Sequence, residues 1–200
     1  MTKARSFGTA ESCLNRQAPA SIDVRRAVTR SSTGSSPFAT LPPVVACGAE
    51  YDASERYRYT LWRDYAAPSE RLLWIMLNPS TATAEVNDPT VRRCQTFGLT
   101  WGFTSIHVVN IFALRSTDPA NLYREVDPVG PDNNYWISRE IADAALIVCA
   151  WGSHGRLNAR ADTVRTMLIG REAWCFALTA AGQPVHPLYQ LATSPLVRFV

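Results

Sequence analysis

Four polar groups stand in this chain where an apolar run stops. Asn78 and Ser80 follow Leu72–Leu77. Asn110 closes the run that starts at Ser105, with Arg115 five residues on. Trp151 and His154 end the run from Ala145. His186 comes after the run Glu172–Leu178 and a Gly182-Gln183-Pro184 turn. Amides such as Asn78 and Asn110 present a donor and an acceptor side by side, and a guanidinium such as Arg115 suits an oxyanion. An imidazole donates or takes a proton near neutrality. His186 lies between Pro184 and Pro187, which stiffen its backbone and preset its ring. His154 sits between Gly152 and Gly155, which permit close backbone approach to a ligand or merely make a turn. His107 lies inside an apolar run and reads as structural. The three histidines lack metal-ligand spacing, so no metal or other cofactor is expected. The chain has no G-x-x-x-x-G-K-[ST], G-x-G-x-x-G or G-x-S-x-G. After Lys3 every basic side chain is an arginine, which sets aside Schiff-base chemistry in the domain.

These groups need strands that end together. Leu72–Leu77 is a short continuous apolar run cut off at Asn78-Pro79, the mark of a strand buried on both faces. Similar runs start at Ser105, Ala145 and Glu172. Between them lie helical patterns. Asp88-Pro89 opens one as N-cap and first helical residue, and Gly102 ends it. A second runs from Pro131-Asp132-Asn133 to about Ala144, and a third from about Asn158 to Ile169. Strands alternating with such helices predict an α/β fold, a three-layer α/β/α sandwich with a mainly parallel sheet. Parallel strands bring their carboxyl ends to one edge, where ligands bind. The stretch Glu55–Arg63 alternates aromatic and charged residues and reads as an edge or hairpin strand with one wet face. Arg92 and Arg93, in the first turns of the Asp88 helix, point either toward the site or away from it.

Residues 1–48 are rich in Ser, Thr, Ala, Arg and Pro and read as a loosely attached tail, with 49–200 as one domain. The tail holds Lys3 and five arginines against Glu11 and Asp23, and the remainder 14 arginines against 15 acids. The domain is therefore near neutral and presents no broad duplex-binding face. The first thirty residues lack the apolar core of a secretory signal; a transit peptide is the lesser reading of their composition. Five cysteines without a C-x-x-C pair predict reduced thiols and a cytoplasmic protein. No apolar run is long enough for a membrane helix.

Six spaced motifs carry a resemblance. They are Ile75–Ala82 (IMLNPSTA); Asp88-Pro89-Thr90 with Arg92-Arg93-Cys94; and Val109–Arg115 with Asp118-Pro119. The others are Asp127–Pro131 with Asn133, Ala150–Gly155, and Gly182–Tyr189 (GQPVHPLY). Over about residues 55–195 the chain resembles a bacterial and phage family known only as a domain of unknown function. It departs from that pattern at Asn87, where an acid is usual, and at Ala180-Ala181. The resemblance draws Asn133 and Tyr189 into the candidate substrate-binding set. More distantly, an Asn-Pro turn after the first buried strand, an Asn at a middle strand end and a late His-Pro are similar to the uracil-DNA glycosylase superfamily. That likeness implies hydrolysis of a nucleobase N-glycosidic bond in DNA, a nucleoside or a nucleotide. His186 would donate to the base oxygen and Asn78 hold the attacking water. The Asn78 turn has no carboxylate to activate that water, and Asp88 takes that part if its loop folds back. Asn110 would read the base edge, with Ser80, Arg115, Arg92 and His154 around it and Phe112 or Trp151 stacking on the base. A non-catalytic nucleic-acid or nucleotide-binding module is the alternative. A hydrolase or transferase using Ser80 with His186 is a third reading.

Overall fold

The computed structural model describes residues 41–66 and 70–200; most of the stretch read as a tail lies outside them. Seven strands form one sheet: β1 (Ala46–Tyr51), β2 (Arg58–Asp64), β3 (Arg71–Met76), β4 (Ser105–Asn110), β5 (Leu146–Cys149), β6 (Trp174–Cys175) and β7 (Val197–Arg198). Their order is β1-β2-β4-β3-β5-β6-β7. The pairs β4–β3, β3–β5 and β5–β6 are parallel, whereas β1–β2, β2–β4 and β6–β7 are antiparallel. The sheet is thus mixed rather than mainly parallel. A parallel centre is flanked by antiparallel strands, because β2 pairs with β4 in the reverse direction and β7 turns back along β6.

Three helices connect the strands: α1 (Pro89–Thr100), α2 (Asn133–Asp143) and α3 (Arg160–Met167). In α1 the Asp88 side chain accepts the Val91 N–H at 2.7 Å, with Pro89 at the first helical position. That cap satisfies one of the N-terminal donors that no helical carbonyl reaches. Asp88→Ala is expected to cost about 1 kcal/mol, read as a lower midpoint in denaturant; an unchanged midpoint would show the cap to be idle.

Alternate strand residues enter two cores. Leu72, Trp74 and Met76 of β3, Ile106 and Val108 of β4, and Leu146 and Val148 of β5 join Val91, Cys94 and Phe97 of α1. Leu73, Ile75, Val109, Ile147 and Cys149 join Ile137 and Ile141 of α2 and Val164 of α3. This is the period-two alternation of a strand buried on both sides. Gly98 lets α1 lie close to the sheet: a Cβ there would stand 2.7 Å from Ile106 Cδ1 and 2.9 Å from Leu72 Cδ2.

The Glu55–Arg63 stretch is not an edge. As β2 it lies between β1 and β4. Its arginines are buried, Arg58 2% and Arg63 1% exposed. Carbonyls make this tolerable: Arg63 donates from Nη1 to Trp62 O (2.7 Å), from Nη2 to Thr83 O (2.7 Å) and from Nε to Asn87 Oδ1 (3.0 Å). The β1–β2 register shifts between Glu50 and Tyr51, so that Glu50 faces Thr60 and Tyr51 faces Arg58.

His107 is structural. Its Nδ1 lies 2.8 Å from Oε2 of buried Glu140, and Arg71 Nη1 reaches the same oxygen at 3.1 Å. Burial pushes the Glu140 carboxyl up, but the His107 contact and Arg71 outweigh it and hold it below its ordinary 4.5. A carboxylate depressed in the folded state stabilises above its unfolded value, and that contribution is lost as pH falls through the folded value. Glu140→Gln is therefore expected to lower stability at neutral pH and to flatten its decline as pH falls below 4.5. Parallel curves for the two proteins would contradict this.

Candidate functional site

The ends of β3, β4 and β5 meet at one edge. Met76 lies opposite Asn110 in the parallel register. Beyond the strands Ile111 N–H donates to Met76 O and Phe112 N–H to Leu77 O, both at 2.9 Å. Ala150 N–H donates to Ile75 O, and Gly152 N–H to Pro184 O, each at 2.8 Å. The last bond ties the 184–186 segment to the end of β5.

Asn110, 2% exposed, follows the Ile106–Val108 alternation onto the α1 face. Its Nδ2 is buried without a hydrogen-bond partner. His186 is on that face too. Val185 packs on the core shared with Met76 and Ala82, and Arg93 of α1 donates to Gln190 O. His186 Nδ1 accepts the Leu188 N–H at 3.3 Å, which leaves the proton of the neutral ring on Nε2. Burial lowers its pKa from the ordinary 6.5, and the charge of Asp88 works against that shift. Asp88, at the head of α1, is therefore a neighbour of His186. The Asp88 charge reaches Arg58 as well, whose Nη1 donates to Ala82 O at 2.7 Å.

Asn78 stands at the end of β3 with its amide nitrogen turned to the next loop. It donates to Ser116 O (2.8 Å) and Pro79 O (3.1 Å), with Leu114 O at 3.5 Å. Ser80 is half-buried in the same loop and makes no side-chain bond to His186 among the described residues. The nucleophile–base contact that a Ser80–His186 pair needs is not formed.

The other candidates are placed differently. Phe112 is 0% and Trp151 1% exposed, and both pack in the core under α2 and α3. Trp151 Nε1 donates to Gln183 Oε1 at 2.8 Å, and its ring meets Phe199 edge-on. Neither ring has a free face for a base: Trp151 follows Ile147 and Cys149 to the far side of the sheet, and Phe112, past the end of β4, packs there too. Asn133 is fully buried on that side, holding Asn110 O and Ile111 O at 3.0 Å each. His154 is exposed and its Nδ1 lies 3.0 Å from Tyr123 Oη. Arg92 is exposed and donates to Asn87 O at 2.9 Å. Arg115 donates to Glu55 O at 2.8 Å and lies over the Tyr51 ring. Tyr189, 81% exposed, has its ring 5.8 Å from His186.

Arg58 is the residue that sequence reasoning overlooks. Its place in an alternating strand looks like a solvated face, and only the loop carbonyl of Ala82 shows where it points.

No group of three or more His, Cys, Asp or Glu residues with metal-binding geometry occurs among the described residues, and none of the described helices is long and apolar enough to cross a membrane. Cys47, Cys94, Cys149 and Cys175 are free thiols. A family model described as a protein of unknown function (DUF1643) matches residues 58–188. No curated protein and no solved structure matches the chain.

Proposed function

We propose that this chain, which belongs to the DUF1643 family of proteins of unknown function, is a glycosylase-like protein that hydrolyses the N-glycosidic bond of a nucleobase in DNA, a nucleoside or a nucleotide. The observation that carries the reading is His186: a ring kept neutral by burial, with Nδ1 tied to a backbone N–H and Nε2–H free to donate. Such a donor stabilises negative charge as it develops on a departing base oxygen. The C–N electron pair leaves with the base, and water attacks the sugar cation. The Asn78 Oδ1 holds that water, and Asp88 receives its proton. The unpartnered Nδ2 of Asn110 donates to the base edge. The fold reading that goes with this is a three-layer α/β/α sandwich whose parallel centre carries the site. Its support is the division of alternate strand residues between an α1 core and an α2–α3 core.

Binding without turnover is favoured by one feature. Asp88 Oδ1 is already engaged as the cap of α1, which competes with its use as a base. Incubating the protein with deoxyuridine, dUMP and a single-stranded oligonucleotide containing deoxyuridine, and measuring free uracil by chromatography, separates the two. Steady release supports hydrolysis. Saturable binding with no release assigns a binding module.

A further inference from the structure

We propose that Arg58 receives an anionic phosphate of the ligand, so that the site takes a mononucleotide in preference to a nucleoside or a duplex. This rests on the carboxyl edge of the sheet being the place where the ligand binds.

Arg58 and Arg63 are the two buried arginines of β2, and they differ in one respect. Arg63 spends all three guanidinium nitrogens on oxygen acceptors. Arg58 spends Nη1 on Ala82 O, and its Nε has no partner. No carboxylate lies within ion-pair distance of Arg58 among the described residues. Tyr51 and Asp88 attract its charge from a distance, against the lesser repulsion of Arg115 and Arg63. Burial, the largest influence, brings its pKa down to about 10, so it is still a cation at neutral pH.

A buried cation without an ion pair is costly and persists where something else neutralises it. A further donor without a partner is available to share an oxyanion: Arg115, whose charge reaches Arg58, has a buried unpartnered Nε. A guanidinium fork matches a phosphate in shape and charge. Arg58 is only 2% exposed, so only a group narrow enough to leave the protein surface would reach it. A phosphomonoester on a small molecule can do that, whereas the backbone of a duplex is held at the protein surface. The charge of residues 49–200, 14 arginines against 15 acids, offers a duplex no broad attraction. His186 and Asn110 then take the base end of the same ligand.

Calorimetric titration of the full chain tests this with dUMP, deoxyuridine, inorganic phosphate and an oligonucleotide with internal deoxyuridine and no terminal phosphate. The expected result is dUMP bound at least about tenfold more tightly than deoxyuridine, with inorganic phosphate competing and the oligonucleotide no tighter than the nucleoside. Arg58→Met is expected to bring dUMP down to the deoxyuridine affinity and leave deoxyuridine unchanged. Should that variant not fold, Arg58→Lys, which keeps the charge and loses the fork, is expected to weaken dUMP alone. Equal affinities for dUMP and deoxyuridine, no binding of dUMP, or dUMP affinity indifferent to Arg58 would each overturn the proposal. Binding of dUMP without release of uracil would end the glycosylase reading and leave this one standing. Release from deoxyuridine as fast as from dUMP, with Arg58→Met unaffected, would do the opposite.

Discussion

Under the proposed glycosylase reading, His186→Ala is expected to lower the rate of base release by about a hundredfold to a thousandfold, the usual loss when a donor to developing negative charge is removed. The side chain is half-buried on the rim of the α1 core, and its backbone is set by flanking prolines, so the fold survives the change. Near-ultraviolet circular dichroism of the variant should match the parent. A variant that folds alike and releases base at the parental rate would remove His186 from the chemistry. The pH profile supplies a second signature. The ring serves as a donor with Nδ1 unprotonated, since that atom accepts the Leu188 N–H. Protonation breaks this bond, so activity should decline as pH falls through a value below the ordinary 6.5 and level off above it. Stability follows the same direction. A histidine with a lowered folded-state pKa binds fewer protons folded than unfolded, so its contribution is present above 6.5 and lost as pH drops below it. An acid limb that persists unchanged in His186→Ala would assign it to another group.

Trp74→Ala produces the largest loss of stability, about 3–5 kcal/mol. Trp74 is 0% exposed in the middle of β3. Its ring lies 6.1 Å from Phe97, 5.8 Å from Trp101 and 6.1 Å from Phe176, and Phe97 and Phe176 are 4.8 Å apart. Removing the indole leaves a cavity between the sheet and α1 that three rigid neighbours cannot fill. A domain with total stability of roughly 5–15 kcal/mol loses a large share of it. Denaturant titration should show a lower midpoint with the slope retained. A loss under about 1 kcal/mol would mean that the cluster relaxes into the space. Since β3 leads into Asn78, any shift of its end should also disturb ligand binding.

Much of the frame was legible in the chain. Asp88-Pro89 announced the start of α1 because a cap needs only four consecutive residues to act, and Gly102, at φ +91°, marks the turn after it. The runs beginning at Leu72, Ser105 and Ala145 are strands because apolar residues without a break suit a ribbon covered on both sides. The strand from Glu172 shrinks to Trp174–Cys175, and Phe176 beyond it packs in the Trp74 cluster. The convergence of strand ends, and with it the likeness of the motifs to a known family, was already present as a pattern of types and spacings.

Contacts between distant segments decided the rest. The burial of Arg58 depends on a carbonyl 24 residues along the chain, which no local pattern displays. Phe112 and Trp151 looked free to stack, yet both pack in the far core: pairing phase turns Trp151 there, while Phe112 packs there beyond the end of β4, out of step with Ile106 and Val108. The edge strands β1 and β7 carry no apolar run of their own and exist because β2 and β6 offer unpaired backbone groups to bind. Local signals set where elements begin and stop, since capping and periodicity act over a few residues. Which side chains share a cavity is settled by hydrogen bonds and packing that form only once the sheet has closed.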